Sequence, residues 1–175
     1  VQALLGKAKE RKKQGLFVVE GPKMSFEAPY DWVEAVYMSE TFSREDRYIQ
    51  EKKKFEDKTE IVADNVFKAM SDTQTPQGVI AVVKMPHYDI DAVFDGERTN
   101  LLILESIQDP GNLGTMIRTG EGAGVTGIIM NRTTVDIFNP KTVRSTMGSL
   151  YRVPFYIADD LAETIDYVKS KGVSL

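Results

Sequence analysis

The stretch Gln108-Asp109-Pro110-Gly111-Asn112-Leu113-Gly114-Thr115-Met116-Ile117-Arg118-Thr119-Gly120 decides the fold. Just before it, Leu101-Leu102-Ile103-Leu104 is a short apolar run of the kind that forms a buried strand. Asp-Pro-Gly-Asn breaks that run, and the apolar positions beyond it return at helical spacing, so the segment reads as strand, turn and helix. Ligands of open α/β sheets gather at the C-terminal ends of the strands, and this turn occupies such an end. Arg118, about two turns along the helix from Asn112, places a permanent positive charge there.

Outward from this unit the pattern repeats. Downstream come a strand at 127–131, a loop, a helix at 140–149, a strand at 153–157 and a helix at 160–172. Asn139 is a good N-cap and Pro140 a good first helical residue, so a helix start is expected there whether or not anything binds. Upstream, short apolar runs at 16–21, 33–38, 60–64 and 78–84 read as strands, with helices at 22–29, 43–57 and 65–72 between them. Strands alternating with helices imply parallel pairing through crossovers. Pro86 and the polar turn formers that follow it separate the two series. The expected organisation is a small α/β domain over 1–88, a linker over 89–99 and a second α/β domain over 100–175. Val1 in place of methionine, and a strand only beginning at Val173 to Leu175, make a fragment the expectation.

The chain of 175 residues is 42% hydrophobic and 27% charged, with one histidine, no cysteine and a net charge of −4. Without cysteine there are no disulfide scaffolds and no thiolate nucleophiles. No apolar run approaches the roughly 20 residues of a membrane-spanning helix, and the chain does not open on a charged-then-apolar leader, so no membrane association and a cytoplasmic address are expected. An acidic balance argues against coating nucleic acid through bulk charge, but charge is unevenly spread. In the first 23 residues Lys7, Lys9, Arg11, Lys12, Lys13 and Lys23 face only Glu10 and Glu20, mostly on a short helix closed by Gly15. Such a run is either a solvated helix face or a contact for phosphate.

Other features are weaker. Gly122-Ala123-Gly124-Val125-Thr126-Gly127 has the spacing of a dinucleotide-binding loop, but a helix runs into it and a strand runs out, the reverse of that fingerprint. A helix C-cap and turn accounts for it better. His87, after Pro86, reads as an exposed linker residue, and one histidine without a nucleophile makes no hydrolase. Lys52 to Lys54 read as a solvated face, and Phe17, Phe26, Trp32 and Tyr37 as packing. The carboxylates have no metal-ligand spacing, so no metal is expected.

The segment 109–124, together with Asn139-Pro140-Lys141-Thr142-Val143-Arg144-Ser145-Thr146-Met147-Gly148-Ser149-Leu150 and the Arg152-Val153-Pro154-Phe155 that follows, resembles the SpoU family of RNA ribose methyltransferases, within the SPOUT superfamily of knotted S-adenosylmethionine enzymes. The upstream segments Phe17–Lys23 and Asp72–Lys84 are similar to the start and end of that family's substrate-binding domain, itself similar to an RNA-binding ribosomal protein. The resemblance implies an α/β fold with this small domain followed by a parallel-sheet knotted catalytic domain. It also implies S-adenosylmethionine as cofactor, a ribose 2′-hydroxyl of ribosomal or transfer RNA as acceptor, and a homodimer. Carried over residue by residue, it places the motif asparagine on Asn112 and the essential arginine on Arg118. Ser145 and Gly148 then border the substrate or cofactor pocket, and Lys9, Arg11, Lys12, Lys13 and Lys23 become candidate RNA contacts. The family's third motif and cofactor loop do not occur before Leu175, so the catalytic domain is expected to be partial and the chain alone inactive.

Two readings of different class compete with the enzyme. A non-catalytic RNA-binding module requires RNA affinity with a steep salt dependence but no cofactor affinity. A dinucleotide-dependent oxidoreductase requires affinity for a dinucleotide, for which only the glycines speak.

Overall fold

The computed structural model describes residues 1–94 and 98–174. Part of the expected linker, residues 95–97, and Leu175 of the expected final strand lie outside the described residues. Two sheets organise the rest. The first holds β1 (Leu16–Glu20), β2 (Val33–Ser39), β3 (Thr59–Val62) and β4 (Val79–Lys84) in the order β1-β4-β2-β3. Pairing here is mixed, because β4 enters antiparallel between β1 and β2 while β3 runs parallel to β2. Parallel pairing throughout is therefore the wrong expectation for this half: the return through β4 fills the central slot, and its run Val79–Val83 is buried completely or nearly so.

The second sheet holds β5 (Leu101–Leu104), β6 (Gly127–Asn131) and β7 (Phe155–Ala158), all parallel, in the order β5-β6-β7. Its crossovers are α7 (Pro110–Gly122) and α8 (Pro140–Thr146), and α9 (Leu161–Ser170) follows β7. One sheet face carries Leu104, Ile128, Met130 and Phe155 against Leu113 and Ile117 of α7. The other carries Ile129 and Ala158 against Val168 of α9. The reversed glycine segment is the turn expected: Gly122 ends α7, Gly124 adopts φ +78°, and Gly127 opens β6.

In the first half, the helices are α1 (Gln2–Gly6), α2 (Ala8–Gln14), α3 (Pro22–Glu27), α4 (Glu40–Ser43), α5 (Ile49–Lys54) and α6 (Asp64–Met70). The helix expected over 43–57 is broken. Tyr48 takes a left-handed φ of +59°, and the Lys52 ammonium turns back to donate to the carbonyls of Phe42 and Glu45, both at 2.7 Å. A lysine closing the end of α4 replaces continuation of the helix. Gly15 does close α2 as expected, at φ +66°.

The two sheets share one apolar core. The Phe17 ring of β1 lies 4.8 Å from that of Phe138, which in turn lies 5.8 Å from Phe155 of β7. The buried Tyr151 hydroxyl donates to the Met24 carbonyl of α3 at 2.9 Å, and burial raises its pKa.

Candidate functional site

α7 begins where β5 ends, and the residue that caps it is Asp109. Its carboxylate accepts the backbone N–H of Asn112 at 2.7 Å and pairs with Lys141 at 3.3 Å. The hydrogen bond from Asn112 N–H, then that from Lys141, hold the Asp109 carboxyl below its ordinary pKa. This settles what Asn112 is not. Its side chain is exposed and is released from capping, because the cap lies three residues earlier.

Contacts between α7 and the segment that starts at α8 run in step. Asp109 meets Lys141, Gly114 meets Ser145, and Glu121 meets Ser149. The two stretches therefore lie side by side, pointing the same way. A Cβ on Gly114 would stand 2.5 Å from both the Ser145 Cβ and the Thr142 carbonyl, so glycine is what lets the helices touch. Arg118, at i+4 from Gly114 and i−3 from Glu121, falls on the shoulder of this contact stripe, at a level between Ser145 and Ser149. It is exposed, and among the described residues no carboxylate pairs with it.

Two candidates beside it are more engaged than the sequence suggested. The Ser145 hydroxyl donates to the Lys141 carbonyl at 2.9 Å. Gly148 is buried at φ +97°, and the Glu27 carboxylate and Arg152 guanidinium occupy the space a Cβ would need. Gly148 thus serves the turn between α8 and the 3-10 turn Ser149–Tyr151, and faces this ion pair rather than an open pocket. Met116 and Met147 each leave apolar surface, 36% and 41% exposed, and Met116, two residues before Arg118, lies around α7 on a different side from it.

Below Arg118 a charged cluster ties the halves together. Arg152 pairs with Glu121 through Nε and with Glu27 of α3 at 3.2 Å, while the Ser149 hydroxyl donates to Glu121 at 2.5 Å. A further bridge joins Arg144 of α8 to Asp72 at 3.1 Å. Sequence reading passed over this cluster, although Arg152 stands directly behind the second motif. Its partners are 31 and 125 residues away in sequence, a separation that no local pattern encodes.

The hydrogen bond from Arg152 holds the Glu121 carboxyl below its ordinary value, partly opposed by desolvation. Below that ordinary value, about 4.3, the unfolded chain binds the proton more readily than the folded one. The stabilisation is therefore complete above that pH and disappears as pH falls through the lower folded value. Thermal melts should show Glu121→Gln destabilised by about 1 kcal/mol at pH 7, a figure kept small by the exposure of Arg152. The gap from the native protein should narrow as pH is lowered below that ordinary value.

Of the five proposed RNA contacts, Lys9, Lys12, Lys13 and Lys23 are exposed. Arg11 is not, and its assignment as an RNA contact is corrected. It is 3% exposed, with Nη2 on Asp136 at 2.6 Å and Nη1 on the Leu4 carbonyl at 2.7 Å. Position 11 lies on the inner face of α2, which sequence spacing in so short a helix did not reveal.

Residues 99–175 match the SpoU rRNA methylase family, and residues 1–81 match the MRM3-like substrate-binding domain. Among curated relatives, the 23S rRNA (guanosine(2553)-2′-O)-methyltransferase RlmP of Bacillus subtilis is 31% identical over 95% of this chain and 64% of its own length. The 23S rRNA (uridine(2479)-2′-O)-methyltransferase of Streptomyces viridochromogenes is 28% identical over 97% of this chain and 60% of its own. This chain thus spans less than two thirds of either relative. Among solved structures, an AdoMet-bound rRNA methyltransferase from Sinorhizobium meliloti superposes with a TM-score of 0.81 at 27% identity, covering 97% of this chain and 63% of that one. The AdoMet complex of the methyltransferase AviRb from Streptomyces viridochromogenes superposes at 0.79 and 27% identity, covering 98% and 66%. Both halves match in the same order as the two motifs and the upstream segments, and residues 99–175 belong to the SpoU methylase family.

Proposed function

We propose that this chain carries the substrate-binding and arginine-bearing parts of an RNA methyltransferase that moves a methyl group from S-adenosylmethionine to a ribose 2′-hydroxyl, with ribosomal RNA as the substrate. The observation that carries the reading is Arg118, exposed and unpaired among the described residues on the α7 shoulder that the two motif segments build together. The relatives named above, which methylate 23S ribosomal RNA by name, support the choice of substrate. A homodimer belongs to the same proposal, supported by the exposed apolar surface of Met116 and Met147. So does a cytoplasmic location, and so does the division into domains at 1–88 and 100–175 around a linker.

The reaction aligns a poor nucleophile with an electrophilic carbon and takes its proton, and positioning alone supplies several kcal/mol of such a barrier. S-adenosylmethionine supplies the sulfonium methyl group when bound. At the mouth of α7 the Asn112 amide is exposed and Lys141 is matched by Asp109. The Gln108 amide nitrogen donates to the Ser106 and Thr133 carbonyls at 3.1 and 2.9 Å and leaves only its oxygen to accept, so this edge offers the cofactor neutral polar groups. Arg118 grips the phosphate next to the acceptor ribose and stabilises charge growing on the 2′-oxygen. Since arginine keeps its proton, it orients and stabilises rather than acting as the base. Asn112, free of the cap, is placed to orient the hydroxyl.

The test is transfer of radiolabelled methyl from S-adenosylmethionine to 23S ribosomal RNA by the intact protein, with a calorimetric titration of the cofactor alongside. Cofactor affinity and label at a ribose 2′-oxygen are expected. RNA affinity without either would leave a non-catalytic RNA-binding module.

A further inference from the structure

A cleft of about 660 Å3 lies away from the Arg118 shoulder, between α2, the segment 85–88, the loop after β6 and the outer side of β7. Its charge is opposite to that of the chain as a whole, which carries −4. Lys12 and His87 project there, both exposed and neither paired among the described residues. Arg132 adds a third basic side chain, shared with Asp159. The lining's one carboxylate, Asp136, is matched by Arg11 from beneath. The walls are partly aromatic: half-buried Tyr88 stands edge-on to Phe155 at 5.4 Å, and Ile157 exposes 43% of its surface. Lys9 and Lys13 of α2 are exposed on the same short helix as Lys12.

A cation without a counter-ion, such as Lys12, beside a partly exposed aromatic ring is what single-stranded nucleic acid requires, the one for the backbone and the other for a base face. We propose that this cleft holds a single-stranded segment of the RNA, with backbone phosphate against Lys12 and Arg132 and an unstacked base against Tyr88. The proposal rests on the RNA methyltransferase reading and adds to it a second contact site. The cleft lies by Phe138, at the start of α8, whereas Arg118 is level with its far end, where Glu27 and Arg152 meet. The nucleotides held here are therefore flanking ones and not the one methylated.

The experiment is a fluorescence-anisotropy titration of the protein with a labelled single-stranded RNA of about 12 nucleotides, a length within the usual range for such grooves. Lys12→Glu should weaken binding about tenfold at low salt. Lys12→Ala should lower the slope of log affinity against log salt by about 0.7, the share of one phosphate contact on a single strand. Tyr88→Leu, which keeps the apolar packing, should weaken binding about fivefold or more through lost stacking. Lys53→Glu, on α5 at the opposite edge of the first sheet, should change affinity less than about twofold. Lys12 is exposed, so its variants fold, and a melting curve of each confirms it. If the native protein binds the RNA but the Lys12 and Tyr88 variants bind equally well, the cleft assignment fails and the methyltransferase reading stands. An equal loss from Lys12→Glu and Lys53→Glu also overturns it, since only general charge would be at work. If the native protein binds no single strand, the cleft assignment also fails, while the methyl-transfer assay decides the methyltransferase reading separately.

Discussion

Arg118→Ala in the intact protein is expected to lower the methyl-transfer rate by about 10²- to 10³-fold, the usual cost of removing one preorganised donor to a developing oxyanion. The melting temperature should move by less than about 2 °C. The second expectation follows from exposure: the side chain meets no carboxylate among the described residues, and truncating a surface residue away from caps and core costs within about 0.5 kcal/mol. Its helix is held elsewhere, by the Asp109 cap, the Gly114 contact and the Glu121 cluster. Loss of rate without loss of fold is the signature of a group present for chemistry.

Arg118→Lys sharpens the test. Lysine keeps the charge but loses the planar fork that grips phosphate through two hydrogen bonds. If Arg118 only neutralises phosphate, lysine should restore most of the activity. If it holds phosphate and 2′-oxygen together, lysine should recover less than about a tenth. A native rate in Arg118→Ala would remove the mechanism proposed here.

What the sequence made legible depended on how local the signal was. The parallel half could be read because each strand is a short apolar run, and because Pro110 and Pro140 mark the two helix starts at their first residue. In the other half the strands were legible but their pairing was not. That β4 slots between β1 and β2 is set by burial of Val79 to Val83 on both faces, which an apolar run shares with any central strand. The long helix expected over 43–57 failed because Lys52 spends its charge on carbonyls of the preceding helix. At the candidate site, Asn112 and Arg118 were placed by motif, but the residue that caps the first turn, Asp109, was not singled out. The cluster of Glu27, Glu121 and Arg152 and the cleft at Lys12 both join segments far apart in sequence. Only the folded chain brings them together.

Arg11→Ala should be the most destabilising of the charge substitutions considered, by about 3 kcal/mol or more, which in a chain of this size lowers the melting temperature by about 10 °C. Arg11 carries four hydrogen bonds at once: Nε and Nη2 donate to Asp136 at 3.1 and 2.6 Å, and Nη1 donates to the Leu4 and Leu5 carbonyls at 2.7 and 3.2 Å. Removing it strands the last carbonyls of α1 and leaves the Asp136 charge, only 20% exposed, without a counter-ion. Asp136 in turn accepts the Phe138 N–H at 3.0 Å through Oδ1, and its carbonyl accepts the Asn139 N–H at 2.9 Å, so the entry to α8 depends on it. Breaking one side of a buried pair costs more than the pair contributes, because the remaining charge keeps its desolvation penalty. Replacing both residues with leucine should recover in thermal melts only the part of the loss due to the stranded charge, since the Leu4 and Leu5 carbonyls and the Phe138 N–H stay without these partners. The consequence reaches function through α2. Arg11 fixes the helix that presents Lys12 to the cleft, so the double leucine variant should fold and still bind RNA, while Arg11→Ala should lose RNA affinity and stability together.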